Sequence, residues 1–175
     1  MPAEPATALT PEREVVELFD EMRDRLLRYL LCLGLSAHDG EEILQETFLQ
    51  LFQHLRKGKS RQNLRGWLFR VARNLALRQR TITRSRQQSQ IQFDENLFSG
   101  SGAGGMTPED ELHRRRRQSR LLAVVRALPE KDRSCLYLRA EGLRYREIAG
   151  ILGIGLGSVA ASLSRSMERL KRADS

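Results

Sequence analysis

The chain has few of the residues from which catalytic and metal sites are usually built. It contains two cysteines and three histidines among 175 residues, and their spacing matches no metal-ligand motif. Glu41 and Glu42 are neighbours that would point apart on a helix, and no glycine-rich loop is placed to hold phosphates. We therefore expect no catalytic residue, no metal and no cofactor. These absences argue against an enzyme that acts on DNA, such as a recombinase.

The scarcity of cysteines and of long apolar runs also indicates the cellular compartment of the protein. Cys32 and Cys135 lie far apart in apolar segments, which predicts buried, reduced thiols rather than a disulfide framework. No apolar run approaches the roughly 18 residues that a membrane span requires. The first residues also lack the basic, apolar and small-residue order of a signal peptide. We therefore expect a cytoplasmic protein with no membrane insertion.

Aromatic residues and strand patterns are rare too, and this restricts the fold class. Aromatics make up 6% of the chain against 40% hydrophobic residues, a composition that suits small helical bundles. Apolar side chains recur at helical spacing in two parts of the chain. The predicted helices cover residues 11–33, 41–56, 64–80, 108–128, 130–142, 145–153 and 157–173. We predict an all-α protein with two small helical bundles, residues 11–83 and 107–173, joined by a polar and Gly/Ser-rich flexible linker at 84–106.

Charge, in contrast, is abundant and unevenly distributed. Lys and Arg number 30 against 22 acids, a net charge of +8. Residues 61–92 hold eight arginines and no acid, 93–112 hold five acids and no base, and 113–175 hold 15 basic and 6 acidic residues. Two basic blocks predict two polyanion-binding surfaces. The alternative is a scattered basic surface that only solvates the protein.

The second predicted helix has two distinct faces. Its core face consists of Leu44, Phe48, Leu51, Phe52 and Leu55. A narrow stripe on the opposite side consists of Glu42, Glu46, Leu49 and Gln53. An exposed leucine flanked by acids is typical of a protein-binding face, because apolar burial gives affinity and rim charge gives register. A solvated stripe would show the same pattern.

The third predicted helix combines arginines with aromatic residues. Its basic surface consists of Arg61, Arg65, Arg70, Arg73, Arg78 and Arg80, and it also carries Trp67 and Phe69. Arginine binds phosphate through its forked donors, and aromatic rings stack on unpaired bases. The pattern therefore indicates a surface for single-stranded nucleic acid. For Phe69 we favour a core position, whereas for Trp67 both the core and the stacking role stay open.

The last two predicted helices have the pattern of a helix-turn-helix. The inward positions are Ile148, Ala149 and Leu152 in the first helix and Val159, Leu163, Met167 and Leu170 in the second, with Gly153 at the turn and Ile154 at the junction. The predicted outer face of the second helix consists of Ser158, Ala161, Ser162, Arg165, Arg169 and Arg172. This face has few side chains that read bases. It favours contacts with phosphates and with DNA shape.

Together, residues 12–172 resemble the bacterial RNA polymerase sigma factors of the extracytoplasmic-function type. The segment "DGEEILQETFLQLFQHL" looks like the polymerase-binding segment of that family, and "LRGWLFRVARNLALRQR" looks like its segment for melting and reading the −10 element. The C-terminal segment that starts at "LPEKDRSCLYL" looks like its domain for the −35 element. The order of three segments, with a linker before the third, carries the resemblance.

The resemblance implies a role for individual residues. The predicted polymerase contacts are Glu42, Gln45, Glu46 and Leu49, and the predicted −10 contacts are Arg61, Trp67, Arg70 and Asn74, with the loop 57–63 helping to hold a flipped base. The predicted −35 contacts are Arg144, Tyr145, Arg146, Ser158, Ser162, Arg165 and Arg169. The chain departs from the family at Ala160 and Ser162, where a basic residue is common, and at Arg78, where an acid or amide is common.

The function implied by the resemblance is that of a sigma factor. Its partners would be core RNA polymerase and promoter DNA, and it would direct promoter recognition and transcription initiation. Family members are often held by an anti-sigma factor, a partner that the sequence neither supports nor excludes. The alternative function is an autonomous helix-turn-helix regulator that binds duplex DNA without polymerase. That alternative gives no reason for the acidic stripe of the second helix.

Overall fold

The computed structural model describes residues 10–84, 105 and 107–174, and every regular element among them is an α-helix. The seven helices are α1 (Pro11–Cys32), α2 (Ala37–Arg56), α3 (Leu64–Arg84), α4 (Pro108–Ala127), α5 (Glu130–Ala140), α6 (Tyr145–Leu152) and α7 (Leu156–Asp174). The predicted all-α class is confirmed. The predicted linker 84–106 lies almost entirely outside the described residues. The described chain forms two compact units, one of residues 10–30 and 35–84, the other of residues 31–34 and 107–174.

Local capping explains where the first two helices begin. Thr10 Oγ1 accepts a hydrogen bond from the Arg13 amide at 3.4 Å, as the Thr-Pro pattern predicts for the start of α1. Helix α2 begins at Ala37, four residues before the predicted start near Glu41. Ser36 is its N-cap, because its side chain accepts from the Asp39 amide at 3.1 Å. Residues 37–40, which precede the predicted start, therefore form the first turn of the helix.

Aromatic contacts join α1 to the other helices of the first unit. The rings of Phe19 and Phe48 meet edge to face with centroids 5.0 Å apart, and those of Tyr29 and Phe69 do so at 5.4 Å. Phe69 is 1% exposed, so its predicted core position is confirmed. Phe52, which was predicted in the core, is half-buried, and so are Val71 and Leu75 of α3. The apolar faces of α2 and α3 pack against each other, so their polar faces point away from that contact.

Helix α3 begins with an unusual cap and runs four residues beyond its predicted end. Asn63 has a φ of 51°, in the left-handed region, and its Oδ1 accepts from the Gly66 amide at 3.1 Å. Its carbonyl accepts from the Trp67 amide at 3.0 Å. A Cβ on Gly66 would lie 2.5 Å from Asn63 Nδ2, so glycine leaves room for the cap. This cap connects the loop 57–63 to the helix.

In the second unit, α7 is the central helix and contacts α4, α5 and α6. Helix α4 begins at a Thr-Pro cap like that of α1, since Thr107 Oγ1 accepts from the Asp110 amide at 3.2 Å and Pro108 occupies the first turn. Helix α5 ends at Ala140, two residues before its predicted end, because Gly142 takes a φ of 86°. These helices hold α7 on several sides.

Helices α6 and α7 form the predicted helix-turn-helix. The Glu147 carboxylate accepts from the Arg144 amide at 2.6 Å at the start of α6. Gly153 ends α6 in the left-handed conformation, with φ 66° and ψ 35°. The chain then bends by 104° into α7, which lies within the range of this motif. Helix α7 begins at Leu156, so Ser158 lies in its first turn.

Replacing Asn63 tests the cap of α3. Asn63→Ala removes the capping oxygen and places a Cβ in the left-handed region, so we expect it to lower the free energy of unfolding by about 1–2 kcal/mol. Asn63→Gly removes the same oxygen, but glycine adopts the left-handed backbone conformation without strain. This variant should lower the free energy of unfolding by only about a few tenths of a kcal/mol. Urea titration followed by the fluorescence of Trp67, the single tryptophan, reports this unit. Equal losses for both variants would show that the backbone conformation of Asn63 is unimportant.

Candidate nucleic-acid and protein interfaces

The stripe on α2 is exposed along its length. Leu49 is 51% exposed, and Gln45, Glu46 and Gln53 are also exposed, while Glu42 keeps 60% of its side-chain surface. The opposite face is buried and consists of Ile43, Leu44, Thr47, Phe48, Leu51 and Leu55. Its one polar member is satisfied, since the Thr47 hydroxyl donates to the Ile43 carbonyl at 2.7 Å. The stripe is therefore available to a partner without any change in the core.

The acids of the stripe interact only with polar neighbours on the same helix. His38 Nε2 lies 3.3 Å from Glu42 Oε1, and Gln50 donates to Glu46 Oε1 at 3.0 Å. Neither acid forms an ion pair with a lysine or arginine in the described part of the chain. The two acids consequently lie at the surface beside Leu49 without a lysine or arginine partner among the described residues. This is the arrangement that an apolar contact with a charged rim requires.

The basic surface of α3 is less uniform than the sequence suggested. Arg61 Nε donates to Glu14 Oε2 at 2.9 Å, and Arg65 forms an ion pair with Glu21. Both acids belong to α1, so the acid-free sequence of residues 61–92 does not produce an acid-free surface. Arg70 is exposed, whereas Arg73 is half-buried.

The structure places Trp67, Arg70 and Asn74 on one face of α3, at positions i, i+3 and i+7. Arg70 and Asn74 are exposed, and Trp67 is half-buried. The open question about Trp67 therefore has an intermediate answer, because one part of the ring packs against the protein and another part reaches solvent. Arg61 lies in the loop that precedes this helix. The four predicted −10 residues thus belong to one local region of the first unit.

His54 is a neighbour of this region that the sequence analysis missed. Its ring lies 4.8 Å from the Trp67 ring between centroids, and its Nε2 is 2.8 Å from the Ser60 carbonyl oxygen. One side chain therefore connects α2, the loop 57–63 and α3. The sequence carries no signal for this contact, because His54 and Trp67 belong to different helices and show no shared motif.

In the second unit, Arg144, Tyr145 and Arg146 are exposed at the start of α6. The Arg139 guanidinium lies 5.7 Å from the centroid of the Tyr145 ring, and its Nη1 donates to the Leu143 carbonyl at 3.1 Å. Tyr145 is 41% exposed in this position. Arg139 is a second residue that the sequence analysis missed. It supports the ring of a predicted DNA contact through a cation–π interaction.

Two predictions about α7 were wrong. Ser162 was assigned to the outer face, but it is fully buried, and we withdraw it as a DNA contact. Met167 was assigned to the inner face, but it is 46% exposed. The inner face follows Val159, Ser162, Leu163 and Ser166, because serine is small enough for close helix packing and the Ser166 hydroxyl donates to the Ser162 carbonyl at 2.8 Å. Ser158, Arg169 and Arg172 are exposed as predicted.

Arg165, a predicted phosphate contact, is held by a carboxylate instead. Its Nη2 lies 3.0 Å from Asp132 Oδ1 of α5 and 3.3 Å from Ser162 Oγ. Asp132 is 2% exposed. Burial would raise the pKa of Asp132, but hydrogen bonds from Arg165 and Ser162 outweigh it and hold this pKa below its ordinary value. Arg165 therefore joins α7 to α5, and only part of its guanidinium stays free for a partner.

The remaining chemistry of the described residues is sparse. Both cysteines are buried and free, as predicted, and burial raises the pKa of Cys135. Among residues 10–84 and 107–174, no group of three or more His, Cys, Asp or Glu side chains is arranged to hold a metal ion. Within the same ranges, no single helix is both long and apolar enough to cross a membrane.

Each of the two units contains a segment that matches a known protein family. Residues 18–86 match the family described as Sigma-70 region 2, and residues 118–170 match Sigma-70, region 4. The chain is 30% identical over 162 residues to the ECF RNA polymerase sigma factor SigL of Mycobacterium tuberculosis, across 88% of this chain and 85% of SigL. It is 27% identical over 168 residues to SigW of Bacillus subtilis, across 89% of this chain and 86% of SigW. A 30% identical relative, SigE of Mycolicibacterium smegmatis, is longer, and the chain spans 59% of it.

Two solved structures share the fold. One is CnrH in complex with the cytosolic domain of CnrY, with a TM-score of 0.59 at 21% identity, covering 94% of this chain and 91% of that chain. The other is the sigma factor RpoE of Bartonella quintana in complex with the anti-sigma factor NepR, with a TM-score of 0.58 at 21% identity, covering 90% and 96%. The architecture of two helical units is therefore shared with known sigma factors.

The chain belongs to the extracytoplasmic-function family of RNA polymerase sigma factors. The resemblance drawn from its sequence is thereby confirmed, together with its function in promoter recognition and transcription initiation with core RNA polymerase. The alternative of an autonomous helix-turn-helix regulator is not favoured, because the region 2 match accounts for the first unit as well.

Arg165 and Arg169 offer a matched test of the α5–α7 connection. Arg165→Ala leaves the buried Asp132 carboxylate without its charged partner, and we expect a loss of about 1–2 kcal/mol in the free energy of unfolding at pH 7, because the arginine is half exposed. Arg169→Ala, which breaks no ion pair in the described chain, should cost less than about 0.5 kcal/mol.

The contribution of the Arg165–Asp132 ion pair to the free energy of unfolding should depend on pH. A carboxylate whose folded pKa is lowered stabilises the protein above its unfolded pKa, and this contribution disappears as the pH falls through the folded pKa. The difference between the wild type and Arg165→Ala should therefore shrink below pH 3.8, the ordinary pKa of this group. Urea titrations by far-UV circular dichroism measure it. A difference that stays constant between neutral and acidic pH would contradict the assigned ion pair.

Proposed function

We propose that core RNA polymerase binds the exposed side of α2 through Glu42, Gln45, Glu46 and Leu49. The observation that carries the proposal is the exposure of Leu49 between two carboxylates that form no ion pair with a lysine or arginine in the described part of the chain. Leu49 would supply apolar burial, and the acids would orient the contact through basic groups of the polymerase. The predicted first bundle, residues 11–83, would thus combine polymerase binding with −10 recognition.

We further propose that Arg61, Trp67, Arg70 and Asn74 bind the non-paired strand of the −10 element. Trp67 presents part of its ring to solvent, and an aromatic ring can stack on a base in an open strand. Asn74 can hydrogen-bond the edge of a base that has left the stack, while the arginines bind phosphates. The loop 57–63, which His54 and Asn63 connect to the helices, would border the flipped base.

For the −35 element we propose contacts from the predicted second bundle, residues 107–173. Arg144, Tyr145 and Arg146 would meet phosphates at the start of α6, and Ser158 and Arg169 would meet the duplex from α7. Arg165 would contribute only through the part of its guanidinium that Asp132 leaves exposed. Phosphate contacts and groove shape therefore account for most of this binding, because few exposed side chains on α7 can read a base edge.

The proposal includes no catalytic step for the chain itself and places it in the cytoplasm with its polymerase. Binding and placement are the contributions that its exposed surfaces support. An anti-sigma factor is a further proposed partner, since both structural neighbours described above were solved in complexes, one of them with a named anti-sigma factor. Co-purification with core polymerase, followed by run-off transcription on promoters selected from a randomised library, tests the function directly.

A charge-reversed stripe tests polymerase binding. Leu49→Arg with Glu46→Lys should weaken binding to core polymerase at least about tenfold, which is about 1.4 kcal/mol, because it places repulsion in the proposed contact. The matched control is Val16→Arg with Glu17→Lys, which alters another exposed apolar residue and its acidic neighbour on α1. We expect the control to bind as the wild type does. Equal affinity losses in both double variants would remove the support for the stripe.

Asn74→Ala tests strand opening. The variant should bind core polymerase normally but slow open-complex formation by about tenfold on a selected promoter, because one base-specific hydrogen bond is lost. Thr81→Ala, an exposed polar change on the same helix, serves as the control. Stopped-flow fluorescence of a labelled promoter measures the opening rate. A loss of polymerase binding by Asn74→Ala would instead assign the residue a structural role.

A further inference from the structure

The arginine surface beside the proposed −10 site carries acids from another helix. Residues 61–92 contain no acid, yet Arg61 and Arg65 each have a carboxylate partner on α1. The two acids, Glu14 and Glu21, are separated by 47 and 44 residues from their partners in the sequence, so no local pattern requires these pairs. We therefore ask how these two ion pairs affect the binding of DNA to the surface that carries Arg61 and Arg65.

The two ion pairs, Glu14–Arg61 and Glu21–Arg65, have similar arrangements. Glu14 and Glu21 lie two turns apart on the same face of α1. Arg61 lies in the loop before α3, and Arg65 follows four residues later in the first turn of that helix. Glu14 keeps 17% of its side-chain surface exposed and Arg61 keeps 46%. The carboxylate of Glu14 is therefore held close to the protein, while the guanidinium that it contacts extends into solvent.

These pairs change how the surface responds to DNA. A carboxylate and a phosphate compete for the same guanidinium donors, and a nearby fixed negative charge repels an incoming phosphate. Each guanidinium still has free N–H groups, so a strand that is well placed by other contacts can share it. A strand that relies on charge alone loses most of the attraction. The pairs thus penalise sequence-independent binding more than specific binding.

We propose that Glu14 and Glu21 are specificity-determining residues that suppress sequence-independent binding of single-stranded DNA to the Arg61 and Arg65 surface. The proposal rests on the proposed −10 role of this surface. On this proposal, the free protein binds single-stranded DNA weakly when phosphate contacts act alone. Binding becomes stronger when Trp67 and Asn74 add base contacts. Removing the two carboxylate charges should therefore raise affinity for a strand that has no promoter sequence.

The test uses the full chain and an oligothymidylate of about 20 nucleotides, followed by fluorescence anisotropy over a range of salt concentrations. Glu14→Gln with Glu21→Gln should raise affinity by roughly threefold to tenfold at low salt. It should steepen the slope of log K against log salt by about 0.7 for each arginine released.

The matched control is Glu12→Gln with Glu17→Gln. It makes the same change in net charge on the same helix, at exposed acids without a basic partner in the described structure. Its affinity should rise by less than about twofold, because more distant charges are screened by salt.

A second variant separates this proposal from the one it rests on. Arg61→Ala with Arg65→Ala should weaken oligothymidylate binding, and adding the Glu14→Gln and Glu21→Gln changes should then give no further gain. If the arginine variant binds as the wild type does, then Arg61 and Arg65 do not contact the strand, and the −10 role proposed for Arg61 is wrong. Two other outcomes overturn the specificity role. If the Glu14 and Glu21 change raises affinity no more than the Glu12 and Glu17 control does, the acids act only through net charge. If the Glu14 and Glu21 change lowers affinity, the acids position the arginines.

Discussion

Helix α7 packs against α4, α5 and α6, and this arrangement commits much of its surface before any partner binds. Its inner face includes two serines beside Val159 and Leu163, and Arg165 turns to Asp132 because a buried carboxylate needs a charged, hydrogen-bonding partner. Ser158, Arg169 and Arg172 stay exposed, and so does Met167. The packing of α7 in the second unit therefore decides which of its side chains could meet a duplex.

The first unit shows the same division between packing and partner surfaces. Helix α2 buries its apolar face, and this leaves Leu49 and its neighbouring acids on the side that points away from the core. On α3, burial of Phe69 beside Tyr29 sets the rotation of the helix and leaves Arg70 and Asn74 exposed. The proposed protein-binding surface thus lies on α2, and the proposed nucleic-acid surface lies on α3.

Several features could be predicted from the sequence because their causes are local. The Thr-Pro caps of α1 and α4 depend on residues within one helical turn, and the stripe on α2 depends on a period of 3.6 residues. The start of α2 was predicted less well, since Ser36 and Asp39 look like a turn until their hydrogen bond is seen. The family resemblance rested on the order of such local segments, and order is a property of the sequence.

The sequence by itself determined the helical class, the helix-turn-helix and the two basic blocks, because periodicity and composition act over short distances along the chain. Only the tertiary structure decided that Ser162 is buried, that Arg165 pairs with Asp132, and that acids of α1 reach Arg61 and Arg65. Serine fits either face of a helix when its hydroxyl finds a partner, and an arginine takes whichever anion the packing brings near. Such choices depend on contacts between residues that are distant in sequence, and these exist only once the helices have packed.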